Sequence, residues 1–317
     1  MSARATRLVR LGTVPKTIRH ASALGRWEMV LARPERSVRP YVRRYCGYDE
    51  ETVAFSRRRE LATPQPVLIV GFGAPIEVSF PDLGEKTQAT AFLAGVSDRY
   101  ALVDSFGSQR GVQIDLTPLG AFTLLGLPMH ELANRVVELG DVLGADGALL
   151  PERLSGVVGW AARFAALDEF FAARLADAPA ARPDIAWAWR RLCETEGRLR
   201  VGELARELRC SRRHLSARFA EQLGLPPKTI ARLLRFGRAA RLLGAGFTAQ
   251  PPRDRASGRL GLAAIAVDCG YHDQPHLNRD FREFAGISPT EFEAMLLPDS
   301  GGIAQGCSWP ETKVESL

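Results

Sequence analysis

The sequence predicts a multidomain α+β chain. A small antiparallel β-barrel or sandwich with trailing helices is followed by an all-α domain, in which a long helix joins two helix-turn-helix units. The length of 317 residues is typical of two ordinary domains. Short apolar runs with strand-like spacing occupy the first third, and the spacing becomes helical after Pro118. A pattern in residues 201–227 recurs in residues 262–292, which indicates an internal duplication.

The N-terminal region is predicted to consist of strands and turns. Residues 1–26 lack a clear period, and we interpret them as a mobile basic arm. Beyond them, Gly, Pro and Asp separate short apolar or alternating runs, as in a barrel or sandwich. These runs are residues 27–31, 52–55, 67–70, 76–80, 91–94, 100–103 and 111–116. Residues 39–45 are predicted to form a short helix between strands.

Helices are predicted to complete the N-terminal domain, which spans residues 27–177. The helical stretches are residues 119–128, 130–137 and 149–176. Gly126 and Pro128 are expected to end the first of them. The sequence APAARP at residues 178–183 combines small residues with two prolines, so we interpret it as the linker to the second domain.

The second domain is predicted over residues 184–297. It opens with a helix at residues 185–195, and residues 228–243 are expected to form the long connecting helix. Residues 244–261 are polar and rich in Pro, Gly and Arg, which predicts a long connection before the second unit. Residues 298–317 are rich in Gly, Ser, Pro and charge, and we expect a disordered tail there.

Each copy of the duplicated unit combines a short amphipathic helix with a second helix that carries Leu and Phe four residues apart. The pairs are Leu215 with Phe219 and Leu277 with Phe281. Residues with this spacing lie on one helical face, so both pairs are predicted to be buried. Ser211 and Asp273 are suitable N-caps, and Gly224 and Gly286 mark the ends of the two second helices.

The opposite face of each second helix is predicted to be free for a ligand. In the first unit the candidate contact residues are Arg212, Arg213, Ser216 and Arg218, and Arg235 follows on the connecting helix. In the second unit they are Gln274, His276, Asn278, Arg279 and Arg282. Arg212, Arg213 and Arg279 are the best candidates for contact with a base edge or a phosphate, because guanidinium donors suit both.

The charge distribution supports a polyanionic partner. Residues 184–297 hold 19 Lys and Arg against 13 Asp and Glu, whereas the remainder holds 23 of each sign. An Arg-rich codon bias alone would raise Arg everywhere and would not leave the remainder neutral. The excess therefore favours phosphate binding by the second domain. Within it, residues 206–241 have a net charge of +8 and residues 260–297 a net charge of −4, so we expect the first unit and the connecting helix to supply most electrostatic affinity.

The second domain resembles the DNA-binding domain of the AraC/XylS family of bacterial transcriptional regulators. The residues that carry the resemblance are Ile265, Ala266, Cys269, Gly270, Tyr271, Asp273, Gln274, His276, Leu277, Arg279, Phe281, Arg282, Gly286, Ser288, Pro289 and Phe292 in the second unit, with Leu204, Ala205, Ser211, Leu215, Phe219 and Gly224 in the first. The first unit departs from the family pattern at Ala217, where an Arg is common. The resemblance implies sequence-specific binding to the major groove of double-stranded DNA.

Members of this family often carry a cupin-like effector or dimerisation barrel before the DNA-binding domain. Residues 116–128 resemble the passage from barrel to helices in one subgroup. The resemblance implies an unidentified small-molecule effector, and it allows a homodimer and contact with RNA polymerase. No enzymatic activity and no cofactor are predicted.

An enzyme whose barrel is catalytic or binds metal, and whose helices localise it to DNA, is the alternative. His272 and His276 have a spacing that can bind Zn²⁺, but no third ligand is evident, and metal lost on their substitution would support this alternative. Gly71-Phe72-Gly73 lacks the third glycine of a dinucleotide motif. The five scattered cysteines, the lack of a secretory signal and the lack of a membrane-length apolar run favour a cytoplasmic protein.

Overall fold

The computed structural model describes residues 15–22, 25–52, 55–105, 107–244 and 261–295. The strands are β1 (Lys16–Ser22), β2 (Gly25–Ala32), β3 (Val42–Thr52), β4 (Ser56–Glu60), β5 (Val67–Gly71), β6 (Ile76–Phe80), β7 (Glu85–Ala89), β8 (Ala91–Ala94), β9 (Ala101–Ser105), β10 (Ser108–Leu116) and β11 (Val136–Glu138). The helices are α1 (Pro118–Leu125), α2 (Leu139–Leu143), α3 (Ala145–Ser155), α4 (Trp160–Leu175), α5 (Pro183–Glu194), α6 (Val201–Glu207), α7 (Arg212–Leu223), α8 (Pro227–Gly244), α9 (Leu262–Asp268), α10 (Gln274–Ala285) and α11 (Pro289–Met295).

The strands form two antiparallel sheets. The larger has the order β1-β2-β3-β10-β5-β8-β11, and the smaller has the order β4-β9-β6-β7. Alternating residues of β10, such as Val112, Ile114 and Leu116, are fully buried, as expected for a strand with one face on a core. The described strands form two open sheets and not a closed barrel, so the sandwich form of the prediction is confirmed.

Most of the predicted strands are present, but the predictions for two N-terminal segments are wrong. Residues 16–22 and 25–26 lie in strands and not in a mobile arm. Of the strand predicted at residues 52–55, Thr52 belongs to β3, and residues 53–54 lie outside the described residues. Residues 39–45 are not a helix: β3 begins at Val42 and pairs with β2 on one side and β10 on the other. The hydrogen bonds of β3 to these two distant strands outweigh the local sequence pattern that predicted a helix.

The helices after β10 agree in part with the predictions. Helix α1 ends at Gly126, whose φ of 66° is left-handed, as expected of a C-terminal glycine. The predicted helix at residues 130–137 is wrong: a single 3₁₀ turn at Met129–Glu131 is followed by β11. The left-handed Asn134 (φ 57°) separates these two elements. The predicted stretch 149–176 is present as α3 and α4, interrupted at residues 156–159.

The second domain has the predicted helices, with the bounds of α5 and α8 close to those expected. Leu215, Phe219, Leu277 and Phe281 are all at most 1% exposed, which confirms the helical phase. The Phe236 ring of α8 meets Phe281 edge-on at 4.9 Å and lies beside Phe284 at 5.4 Å, so the connecting helix packs directly on α10. The predicted connection at residues 244–261 and the predicted tail at residues 298–317 lie outside the described residues, except for Gly244 and Gly261.

The two domains share a hydrophobic core. Leu61, Ala62 and Val96, from the segments that follow β4 and β8, belong to the same buried cluster as the helices of the second domain. Residues 176–182 connect α4 to α5 and include most of the predicted linker. The sandwich therefore packs directly on the helical domain. None of the described helices is long and apolar enough to cross a membrane.

Candidate nucleic-acid interface

The first helix-turn-helix unit consists of α6 and α7. Arg209, with a φ of 50°, makes the turn between them, and the Oγ of Ser211 accepts a hydrogen bond of 3.1 Å from the backbone N–H of His214. This cap fixes the first turn of α7, from which Arg212 and Arg213 extend into solvent. Exposed cations at a capped helix start match the position from which a recognition helix contacts DNA.

Two further candidates lie deeper along α7. Ser216 is half-buried on the same helix. Arg218, five residues beyond Arg213, pairs with Glu221 at 2.8 Å. A contact between Arg218 and phosphate would compete with this exposed ion pair, which is a weak one in water.

The second unit, α9 and α10, is capped in the same way. The carboxylate of Asp273 accepts a hydrogen bond of 2.8 Å from the backbone N–H of His276. This bond, with help from the His272 side chain, lowers the pKa of Asp273, so the cap remains ionised at neutral pH. Arg279 and Arg282 are exposed along α10.

The remaining candidates on α10 are half-buried. They are Gln274, His276 and Asn278. The His276 ring stands edge-on against Tyr271, with 5.2 Å between ring centroids, so its orientation is fixed by packing. The Oδ1 atom of Asn278 is buried and has no hydrogen-bond partner among the described residues.

The connecting helix α8 carries a network of ion pairs that the sequence alone does not predict. Arg232 pairs with Asp280 at 2.7 Å and with Glu283 at 2.6 Å, and both carboxylates belong to α10. These bonds raise the pKa of the Arg232 guanidinium. The carboxylates of Asp280 and Glu283 therefore face α8.

A second set of pairs lies further along α8. Arg238 pairs with Asp268 at 2.7 Å and also with Glu196, while Arg241 lies 3.6 Å from Glu196. Because these arginines already have carboxylate partners, the connecting helix offers less free positive charge than its composition predicts. In the first unit, by contrast, Arg206, Arg209, Arg212 and Arg213 are all exposed.

Arg235 has contacts inside the domain. Its Nη1 donates a hydrogen bond of 2.7 Å to the carbonyl of Gly197, and its guanidinium lies 5.7 Å from the centre of the Tyr271 ring. It thus ties the end of α5 to the second unit. We expect Arg235→Ala to lower stability as well as any affinity for DNA.

The sandwich holds the C-terminal ends of both second helices, which the sequence analysis missed. The backbone N–H of Ala62 donates to the carbonyl of Phe284 at 2.9 Å, and Arg59 Nη1 donates to the carbonyl of Ala285 at 2.9 Å. A cation at this position also interacts favourably with the C-terminal end of the α10 dipole.

The two glycines that end α7 and α10 contact the same part of the sandwich. A Cβ on Gly224 would come within 2.3 Å of the Val96 side chain, and one on Gly286 would come within 2.5 Å of the Tyr100 ring. The position of each glycine at a helix end predicts a left-handed φ, which favours glycine. Close contact with the sandwich is a second reason for glycine at both positions, and no local sequence pattern reveals this contact. We call residues 59–62 and 96–100 the interdomain strip.

A cavity of about 410 Å³ lies between the two sheets, within the size range of small-molecule sites. The interdomain strip forms part of its wall through Leu61, Ser97 and Arg99. Leu61 also belongs to the buried core of the helical domain. One residue therefore contacts both the cavity and the DNA-binding domain. Sequence analysis predicted an effector domain but identified no residue of this cavity.

The histidine pair of the enzymatic alternative and two cysteine thiols can be compared with the needs of metal binding and nucleophilic chemistry. Among the described residues, no group of three His, Cys, Asp or Glu side chains could hold a metal ion. His272 lies 3.1 Å from Asp273. Burial raises the pKa of Cys46 to about 11 and that of Cys193 to about 12, so both thiols are protonated at neutral pH.

Two protein-family models match parts of the chain. Residues 204–295 match the family model described as a helix-turn-helix domain, and residues 31–138 match one described as a domain of unknown function, DUF6597. The C-terminal domain is an AraC-type helix-turn-helix domain, and the chain is a DNA-binding regulator of transcription. No curated protein matches the chain.

Three solved structures resemble the fold. ToxT from Vibrio cholerae O395 is 12% identical, with 77% of this chain and 98% of that one covered and a TM-score of 0.42. ToxT from Vibrio cholerae strain SCE256, solved with an unsaturated fatty acid bound, is 12% identical over 78% of this chain and 97% of that one, with a TM-score of 0.42. The AraC-like transcriptional activator CuxR is 15% identical over 62% and 74%, with a TM-score of 0.28.

Proposed function

We propose that the chain is a cytoplasmic, sequence-specific regulator that reads double-stranded DNA with α7 and α10 in successive major grooves. The observation that carries this proposal is the pair of capped helix starts, with Arg212 and Arg213 exposed on one helix and Arg279 and Arg282 on the other. Recognition helices contact base edges from such positions, and phosphate contacts fix their register. Homodimerisation and contact with RNA polymerase stay predictions.

The test is selection of bound fragments from a genomic library, followed by salt titration on the recovered sequence. We expect specific duplex binding whose affinity falls steeply with salt concentration, because each neutralised phosphate releases counterions. Failure to recover any sequence, or binding that does not depend on salt, would contradict the proposal.

The two units are expected to contribute differently. Arg213→Ala should weaken binding to the selected duplex and to a scrambled duplex alike, and lower the salt slope by about one unit, as for one lost phosphate contact. Arg279→Ala should cost about 1–3 kcal/mol on the selected duplex and relax the preference at one base pair, as for a lost base contact. Fluorescence anisotropy at several salt concentrations measures both effects.

Arg26→Ala is a matched control, because Arg26 is an exposed arginine on β2 of the sandwich. It should leave both affinities unchanged. Equal losses on both duplexes for Arg279→Ala, together with little loss for Arg213→Ala, would show that this division of roles is wrong.

We further propose that a small molecule in the cavity changes DNA binding. The support is the interdomain strip, which lines the cavity through Leu61 and Ser97 and contacts the ends of α7 and α10 on its other side. A ligand that shifts the strip would change how the two helices are held. Such a ligand can only act by its difference in affinity between the two arrangements.

A further inference from the structure

We infer that the cavity takes an uncharged and largely apolar small molecule. This inference rests on the proposed effector function and adds the chemical class of the effector. It depends on two properties of the wall, which are the apolar side chains from both sheets and the balance of its charges.

Apolar side chains from both sheets line the cavity. The side chains concerned are Ile69 of β5, Ile76, Val78 and Phe80 of β6, Phe92 of β8 and Val103 of β9. Burial of apolar ligand surface against them is favourable because it removes that surface from water. Neutral polar side chains also line the cavity, including Tyr48, Ser56, Thr63, Gln65 and Ser105, and they suit hydrogen bonds to uncharged groups.

The charges in the wall cancel. The charged lining residues are Glu50, Arg58, Glu60 and Arg99. Arg58 of β4 bonds directly to Glu50 of β3, which joins the two sheets across the cavity, and the Glu50 side chain is only 12% exposed. Arg99 lies 3.7 Å from Asp82. Each cation in the wall already has a carboxylate beside it, so its charge is compensated before any ligand binds.

A charged ligand would therefore enter at a cost. An anion must either compete with Glu50 for Arg58 or remain without a counter-charge against the apolar side chains of the wall, and both outcomes are unfavourable. A cation would have to compete with Arg58 for Glu50. An uncharged molecule avoids the cost and keeps the gain from its apolar surface.

Two fluorescent probes with the same aromatic skeleton test the inference on the full chain. N-phenyl-1-naphthylamine is neutral, and 1-anilinonaphthalene-8-sulfonate adds one sulfonate. We expect the neutral probe to bind at least about tenfold more tightly. Equal or tighter binding of the sulfonate, or no binding of either probe, would overturn the inference.

Cavity-filling variants show where the probe binds. Val78→Trp, from the smaller sheet, and Ala94→Phe, from the larger, should each weaken binding of the neutral probe at least about tenfold. Circular dichroism shows whether each variant folds, and one folded variant is enough for the test. If a folded variant binds the neutral probe with unchanged affinity, the probe binds elsewhere and the inference is overturned.

A substitution of Glu50 tests the role of the Arg58–Glu50 ion pair. Glu50→Gln removes the partner of Arg58, so the sulfonate probe should gain at least about tenfold in affinity. The double variant Glu50→Gln, Arg58→Gln removes both charges and should return the preference to the neutral probe. A folded Glu50→Gln protein with unchanged preference would contradict the role given to this ion pair.

Measurement of DNA affinity with and without the neutral probe separates the two proposals. If the sulfonate is preferred in the cavity and changes DNA affinity, the effector function stands and the ligand class is wrong. If the neutral probe is preferred but leaves DNA affinity unchanged, the ligand class stands and this probe gives no support to the effector function.

Discussion

Phe281→Ala is expected to lower the free energy of unfolding of the helical domain by about 3–5 kcal/mol. Phe281 is completely buried, and its ring contacts Phe236 of α8 edge-on at 4.9 Å and Phe292 of α11 at 5.5 Å. Truncation removes these contacts and leaves a cavity between three helices. The closely packed side chains around this cavity cannot fill it unless the backbone moves. Urea unfolding followed by circular dichroism measures the loss.

Val267→Ala is the matched control, because Val267 belongs to the same unit but is 69% exposed. Its effect should stay within about 0.5 kcal/mol. DNA binding of Phe281→Ala should fail at temperatures where the domain unfolds. Unchanged stability of this variant would mean that the phase assigned to α10 is wrong.

Arg232→Met is expected to lower the free energy of unfolding by about 3–5 kcal/mol, the usual cost of leaving a buried charge without its partner. The Asp280 side chain is 1% exposed, and Arg232 is its ion-pair partner at 2.7 Å. The guanidinium also lies 4.6 Å from the centre of the Phe284 ring. Methionine preserves much of the apolar stem of the Arg232 side chain, but it leaves the buried Asp280 carboxylate without its cation.

Two variants separate this explanation from a general loss of packing. Arg238→Met leaves the half-exposed Asp268 and the partly exposed Glu196, so its cost should be nearer about 1 kcal/mol. The double variant Arg232→Met, Asp280→Leu replaces the pair by apolar groups and should recover most of the stability. Equal losses for Arg232→Met and the double variant would contradict the ion-pair account.

The sequence predicted the helical domain well because the relevant signals are local. Leu215 and Phe219 repeat as Leu277 and Phe281, and each helix has its own cap and its own terminal glycine. Such features depend on neighbours within a turn or two, so a single chain is enough to recognise them. The predicted burial of all four residues is confirmed.

The errors lie where distant residues decide the structure. Residues 42–45 become part of β3 because β2 and β10 pair with it from both sides. Residues 136–138 become a strand because β8 supplies a free edge. A local pattern of apolar residues cannot show either partner, since each lies far away in the chain.

The candidate interface could be predicted only in part. The positions of Arg213 and Arg279 follow from helical spacing, and the structure leaves both exposed. The partners of Arg232 and Arg238 do not follow from it, because they depend on how α8 packs against α9 and α10. A count of charges therefore overstates the positive charge that the connecting helix offers to DNA.

The most direct test of the account is a hydroxyl-radical footprint on the selected duplex. We predict two protected patches on one face of the DNA, with centres about one helical turn or 10 base pairs apart, one for each recognition helix. Arg213→Ala should weaken one patch and Arg279→Ala the other. A single patch, or two patches that both weaken equally with either substitution, would contradict the claim that α7 and α10 read successive major grooves.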